Sequence, residues 1–168
     1  MDGNNKYNAI LGGGPSYIVH PSDTAPALIA LGARVTILGP KGARTIPLEE
    51  FFVLPGEVLR RENVLAPDEI VTEVEVPTPA PGAKSVYLKF QEKESMDFAL
   101  SAVAVALTMS GETIKTARVV LGGVAPKPWP AKEADAILSG QRLSEALLRR
   151  AADAALAKAQ PLGYNDYK

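Results

Sequence analysis

The 168 residues carry 18 Lys plus Arg against 19 Asp plus Glu, a formal net charge of -1, and 46% are hydrophobic. That composition supports a folded core, one sizeable domain or two small ones sharing an interface, and gives no cationic excess for nucleic acid or an acidic membrane surface. Without cysteine and with a single histidine, the chain supplies no disulfide, thiolate nucleophile or cysteine-held cluster, and no metal site unless carboxylates join the imidazole.

Apolar runs stop well short of the roughly 18 residues of a bilayer-crossing helix, and no basic-then-apolar leader precedes them. Neither membrane insertion nor a signal peptide is expected. The expected compartment is the cytoplasm, with the periplasm reached only by export with a partner.

Taken in chain order, Met1 to Asn5 are polar and read as a frayed end outside the folded body. Short apolar runs at residues 7–11 and 17–19 flank Gly12-Gly13-Gly14-Pro15 and read as strand, turn, strand. His20-Pro21-Ser22-Asp23 then opens a helix, with Ser22 or Asp23 as the cap, Ala25, Leu28, Ile29 and Leu31 at helical spacing, and Gly32 as the stop. Residues 35–38 and 44–46 flank Gly39-Pro40-Lys41-Gly42 and predict a hairpin with a loop of about four or five residues. Residues 48–52 suit one helical turn anchored by Phe51 and Phe52, and residues 70–76 alternate as a strand with one largely polar face.

Pro77, Pro79 and Pro81 with Gly82 hold the chain extended and mark a boundary between residues 1–77 and 84–168. Beyond it come a strand at 86–91, an apolar strand at 98–109, a turn at Ser110-Gly111-Glu112 and a strand at 113–123. A short helix at 131–138 follows Trp129-Pro130, and an amphipathic helix runs from Ser144 to about residue 159.

No serine triad, paired-histidine zinc pattern or phosphate-loop lysine appears, so the sequence indicates binding before catalysis. The glycine turn at Gly12, Gly13 and Gly14 beside the helix start could let a ligand approach the backbone and meet free amides, with a carboxylate for sugar or ribityl hydroxyls; a tight turn and an ordinary cap account for the same residues. Lys89, in Tyr87-Leu88-Lys89-Phe90-Gln91, could pair with a flavin or its phosphates, or merely shield an exposed edge. Gly122-Gly123 reads as a bulge or close backbone packing, His20 as a loop cap and Trp129 as a packing anchor.

The ordered series His20-Pro21-Ser22-Asp23-Thr24-Ala25-Pro26, Phe51-Phe52, Asp68-Glu69-Ile70, Val74-Glu75-Val76-Pro77, Tyr87-x-Lys89, Asp97-Phe98-Ala99 and Gly122-Gly123-Val124-Ala125-Pro126 resembles the flavin subunits of the molybdenum hydroxylases, the xanthine and carbon monoxide dehydrogenase group. The opening Asn5-Lys6-Tyr7-x-Ala9-Ile10 is most similar to the bacterial aldehyde or xanthine dehydrogenase type. What the resemblance implies is an α+β chain: the second half of a flavin-binding domain, then a C-terminal domain with an antiparallel sheet and packed helices.

It implies FAD as cofactor, with Asp23, Lys89 and the backbone of Val71 as contacts, Ser22 and Gly13 as further candidates, and Phe90 and Asp97 nearby. It also implies a molybdenum-binding large subunit and an iron-sulfur small subunit as partners, the flavin passing electrons from the clusters to an acceptor. In the family a preceding half-domain carries the glycine-rich pyrophosphate loop, and relatives usually continue beyond Lys168. The chain is therefore expected to be a fragment, inactive alone. Ser16 stands where relatives of this subtype commonly have cysteine, against an extra cluster here. A rival reading is a non-catalytic docking module using Trp129 and the helix at 144–159; a molybdenum-independent flavin reductase is neither promoted nor excluded.

Overall fold

A computed structural model describes residues 3–93 and 96–168; Met1 and Asp2 of the supposed frayed end lie outside the described residues. The elements are α1 (Thr24–Ala30), β1 (Arg34–Gly39), β2 (Gly42–Pro47), a 3-10 turn (Leu48–Glu50), β3 (Ile70–Glu75), β4 (Ala83–Phe90), β5 (Ser101–Ser110), β6 (Thr113–Gly122), β7 (Trp129–Pro130), α2 (Lys132–Leu138) and α3 (Glu145–Leu156). They form two antiparallel sheets, ordered β2-β1-β3 and β4-β5-β6-β7, with helices packed on them, so the α+β expectation holds.

The start of α1 follows from its cap. Ser22 Oγ accepts the Ala25 N–H at 3.1 Å, satisfying one of the donors a helix start leaves free. Gly32, at φ +78°, ends the helix by a turn that other residues adopt at a cost. Likewise Ser144 Oγ accepts from Leu147 N–H at the head of α3.

Three expectations are corrected. The β1–β2 connection is the pair Pro40-Lys41, because Gly39 and Gly42 themselves pair and extend the ladder. The apolar runs at 7–11 and 17–19 form no regular strands. Ala9 N–H reaches Tyr17 O, Ile10 and Leu11 N–H both reach Val124 O, and His20 N–H reaches Ala125 O. These are scattered bonds rather than a ladder, in a stretch where Pro15 and Pro21 offer no donor.

Asn5 is buried, not frayed. Its Nδ2 donates to Leu162 O at 2.7 Å and its Oδ1 accepts Tyr164 N–H at 3.0 Å. Beside it Asn165 accepts Leu162 N–H and donates to Asn8 O. Two asparagine side chains thus clasp the first described residues to the last.

The two faces of the larger sheet are covered differently. On one, Ile114, Ala117 and Val119 of β6 pack with Ala134, Leu138, Leu147 and Ala151 of α2 and α3. Where β7 does not pair with β6, side chains of α2 and of the residue that caps it take over: Asp135 Oδ1 accepts Val119 N–H at 2.7 Å and Ser139 Oγ accepts Ala117 N–H at 3.2 Å, so these strand donors stay satisfied. Burial pushes the Asp135 carboxyl up. Over β4 and β5 this face is open, leaving an apolar groove of about 550 Å³ among Leu88, Phe90, Val103, Val105, Leu148 and Leu156.

On the opposite face α1 lies on β5 and β6. Ile29, Ala30, Ala33, Val35 and Leu48 share one buried cluster there with Ala104 and Val120. Each buried Ile, Leu or Val contributes roughly 1.5–3 kcal/mol of transfer free energy. The close approach depends on small residues. A Cβ on Gly122 would come within 3.0 Å of Pro26 Cγ and 3.4 Å of Ala102 Cβ, so a larger side chain there would lift the first turn of α1 off the sheet.

Candidate functional site

The close seating of α1 brings its N-terminal residue over β4. Asp23 is the N-cap residue by position but makes no cap bond of its own, because Ser22 Oγ already fills that role. The Asp23 carboxylate is therefore free to reach outward. Tyr87 OH donates to Oδ1 at 3.0 Å, and Lys89 Nζ donates to Oδ2 at 2.8 Å. Both donors come from β4 two residues apart, hence from one face of the strand, opposite Ala104 and Ala102 of β5. Lys89 Nζ also donates to the Asp97 carbonyl. Burial and the neighbouring Asp23 push the Tyr87 phenol above its usual range, so its hydroxyl remains a donor at neutral pH.

Next to this group lies a cavity of about 250 Å³, lined by Tyr7, Val19, Pro21, Ser22, Asp23, Glu92, Asp97, Phe98, Gly123 and Lys168 among others. One wall is tied by ionic contacts: Tyr7 OH donates to Glu92 Oε2 at 2.8 Å and Lys6 Nζ to Glu92 Oε1 at 2.7 Å, and those two bonds hold the Glu92 carboxyl below its ordinary range. Lys168 Nζ donates to Gly123 O at 2.6 Å and Tyr7 O at 3.0 Å. Burial pushes its ammonium pKa down to about 8.

The structure joins Lys89 to Asp23, and Ser22, Asp23 and Asp97 line the cavity; Lys89 itself does not line it, nor does Phe90, which follows Lys89 on β4. Val71 lies on β3 opposite Ile37 and does not line this cavity. Gly13 does not line it either; a Cβ there would fall 2.4 Å from Tyr17 Cδ1, so the glycine is needed for packing against that ring. His20 packs edge-on against Phe52, ring centroids 4.7 Å apart, with Nδ1 buried and unpartnered, and burial lowers its pKa. Its backbone N–H, not its ring, holds the loop.

Gly123 has φ +70°, and a Cβ there would sit 2.7 Å from Ala99 O, in line with close backbone packing. Trp129 packs against Gly12, whose Cβ would meet its ring at 2.7 Å. Among the described residues no group of His, Cys, Asp and Glu could hold a metal ion, and no helix is long and apolar enough to cross a membrane.

Tyr87, Tyr7, Glu92 and Lys168 received no role from the sequence. The period-2 rule applied to Tyr87-Leu88-Lys89 would have put Tyr87 on the face of Lys89; the other three meet across 85 to 161 residues of chain, and no local pattern marks them. Chemically, the arrangement offers a carboxylate with unused lone pairs, steadied by an ammonium and a phenol hydroxyl, and an apolar rim. That set has the chemistry to take a polyhydroxyl or heteroaromatic ligand and contains no nucleophile–base pair.

Comparison with known proteins gives the family. The family described as FAD binding domain in molybdopterin dehydrogenase matches residues 6–79, and CO dehydrogenase flavoprotein C-terminal domain matches residues 85–167. The aldehyde oxidoreductase FAD-binding subunit PaoB of Escherichia coli is 36% identical over 170 residues, which take in 100% of this chain and 50% of that protein. The carbon monoxide dehydrogenase medium chain of Hydrogenophaga pseudoflava is 34% identical over 154 residues, 89% of this chain and 52% of that one. A solved carbon monoxide dehydrogenase from the same organism, lacking the Mo-pyranopterin moiety of its cofactor, superposes with a TM-score of 0.77 at 32% identity, over 87% of this chain and 50% of that chain. The chain thus spans about half the length of the curated relatives it matches. With both segments accounted for in order and the fold shared, the chain belongs to the family of FAD-binding subunits of molybdenum hydroxylases, built from these two domains.

Proposed function

We propose that this chain forms part of the FAD site in the flavin subunit of a molybdenum hydroxylase, with Asp23 and Lys89 as contacts to the cofactor, Ser22 shaping the turn beside them, and Val71 and Gly13 as outlying candidates. The observation that carries the reading is the Asp23–Lys89 ion pair at the head of α1, beside an open cavity. The residues fit the group. Each carboxylate oxygen of Asp23 holds one donor and keeps acceptor capacity for a ligand hydroxyl. The cavity of about 250 Å³ lies below the roughly 300–1,000 Å³ of complete ligand pockets, which suits one portion of a dinucleotide, the remainder resting on surface outside this chain.

Bound FAD would supply the redox chemistry, taking electrons from iron-sulfur clusters of a small subunit, fed by a molybdenum-binding large subunit, and giving them to an acceptor. The residues of this chain would bind and orient it. The domain boundary falls in this reading between residues 1–77 and 84–168, and the chain is a fragment of the complete subunit.

The test is titration of FAD, followed by flavin fluorescence quenching, into the complete subunit and into its Asp23→Ala and Lys89→Ala variants. Each variant should weaken binding by about tenfold or more, as loss of one charge-assisted contact does. Unchanged affinity in both would remove the site assignment. A second reading, a docking module that holds no FAD by itself, is favoured by the apolar groove beside Leu88 and Phe90. Co-purification of the complete subunit with molybdenum and iron-sulfur subunits, without flavin absorbance, would support it.

A further inference from the structure

Asp23 is held from two sides, and the two holds differ in kind. Lys89 reaches Oδ2 through a flexible four-carbon stem and shares its ammonium with the Asp97 carbonyl, so its hold on the carboxylate is divided. Tyr87 reaches Oδ1 from a rigid ring packed against the cluster of Ile29, Ala104 and Val120. The terminal torsion of an aspartate is broad and soft. With Lys89 alone, the carboxylate would be held at one oxygen and could pivot about its Cβ–Cγ bond around that contact. The phenol hydroxyl removes that freedom. Since Ser22 supplies the helix cap, this bond is not needed to start α1.

We propose that Tyr87 is a positioning residue for the flavin site, fixing the plane of the Asp23 carboxylate so that its remaining lone pairs are presented in one direction to a hydroxyl of the cofactor. The inference rests on the reading that Asp23 contacts FAD. Tyr87 itself touches Asp23 rather than the ligand, and it is not among the residues lining the cavity. Its register places it opposite Ala104, beneath the first turn of α1. A ring at this position meets that turn because the neighbouring strands carry Ala102, Ala104 and Gly122.

The experiment compares wild type, Tyr87→Phe, Asp23→Ala and the double variant in the complete flavin subunit, reading FAD dissociation constants, the visible spectrum of the bound flavin, and the melting temperature without FAD. Tyr87→Phe keeps the packed ring and should weaken FAD about fivefold to tenfold, the loss expected when one hydrogen bond from Asp23 to the cofactor is misaligned. It should change the flavin spectrum as Asp23→Ala does and lower the cofactor-free melting temperature by no more than a few degrees, as loss of one half-exposed hydrogen bond does. In the Asp23→Ala background the same substitution should cost less than about twofold, because its only route to the ligand is gone.

Unchanged FAD affinity in Tyr87→Phe, with Asp23→Ala impaired, overturns this proposal and leaves the flavin-site reading standing. An equal loss in both backgrounds overturns it too, by showing that Tyr87 acts without Asp23. Normal binding by Asp23→Ala removes Asp23 from the flavin-site reading, and this inference with it.

Discussion

Asn165→Ala tests the clasp between the two ends of the chain. Asn165 is fully buried; its Oδ1 accepts Leu162 N–H at 2.7 Å and its Nδ2 donates to Asn8 O at 2.9 Å. Truncation strands one N–H and one C=O where the fold shields them, and each such group costs about 1–3 kcal/mol. Allowing some relief by water at the cleared site, the expected loss is about 3 kcal/mol, or about 6–12 °C in a domain of this size. Urea denaturation is the assay: the midpoint should fall with the slope unchanged, the mark of a change in stability rather than in the extent of unfolding. Asp166→Ala, at the exposed neighbouring position, should stay within about 0.5 kcal/mol. Asn5→Ala should cost a similar amount, and the double variant less than the sum, because both side chains bind the segment from Leu162 to Asn165. An Asn165→Ala loss below about 1 kcal/mol would refute the reasoning.

The sole histidine allows a direct proton NMR titration. Burial lowers the His20 pKa below 6.5, so between that folded value and 6.5 the unfolded chain binds more protons; its contribution to stability is present above 6.5 and is lost as pH falls through the folded pKa. A midpoint at or above 6.5, or a His20→Asn variant with unaltered acid sensitivity, would contradict this. Gly123→Ala places a side chain at φ +70° and within 2.7 Å of Ala99 O; the left-handed backbone alone costs roughly 1–2 kcal/mol, so a midpoint shift worth less than that would show that the backbone here relaxes. Leu88→Ser with Phe90→Ser, at positions 60% and 59% exposed, should reduce binding of an apolar dye while changing stability by under about 1 kcal/mol; a loss above about 2 kcal/mol would mean that these side chains belong to the core.

Local signals in the sequence found the local structure. Ser22, Ser144 and Gly32 act at helix ends because a cap or a stop is decided within four residues, and Ser110-Gly111-Glu112 closes the β5–β6 hairpin for the same reason. Residues 7–11 and 17–19 have strand composition, yet their partners at Val124 and Ala125 offer isolated carbonyls instead of a strand edge. In sequence Asn5 looks frayed because the groups that bury it lie 157 and 159 residues away. At the site, Asp23 and Lys89 entered through an ordered resemblance, and the structure joins them by an ion pair. Nothing local joins Lys6 and Tyr7 to Glu92, or Lys168 to Gly123, since those contacts exist only once the whole chain has closed.

The exposed proline-rich segment at residues 77–82 has the look of a hinge. The cluster spanning it prevents one. Ile29, Val35 and Leu48 precede the segment and Ala104 and Val120 follow it, all within a single buried group. Swinging one part away from the other would expose that group to water, so the prolines brace a fixed span. A protease that nicks the span should leave two polypeptides that stay associated and melt in one transition.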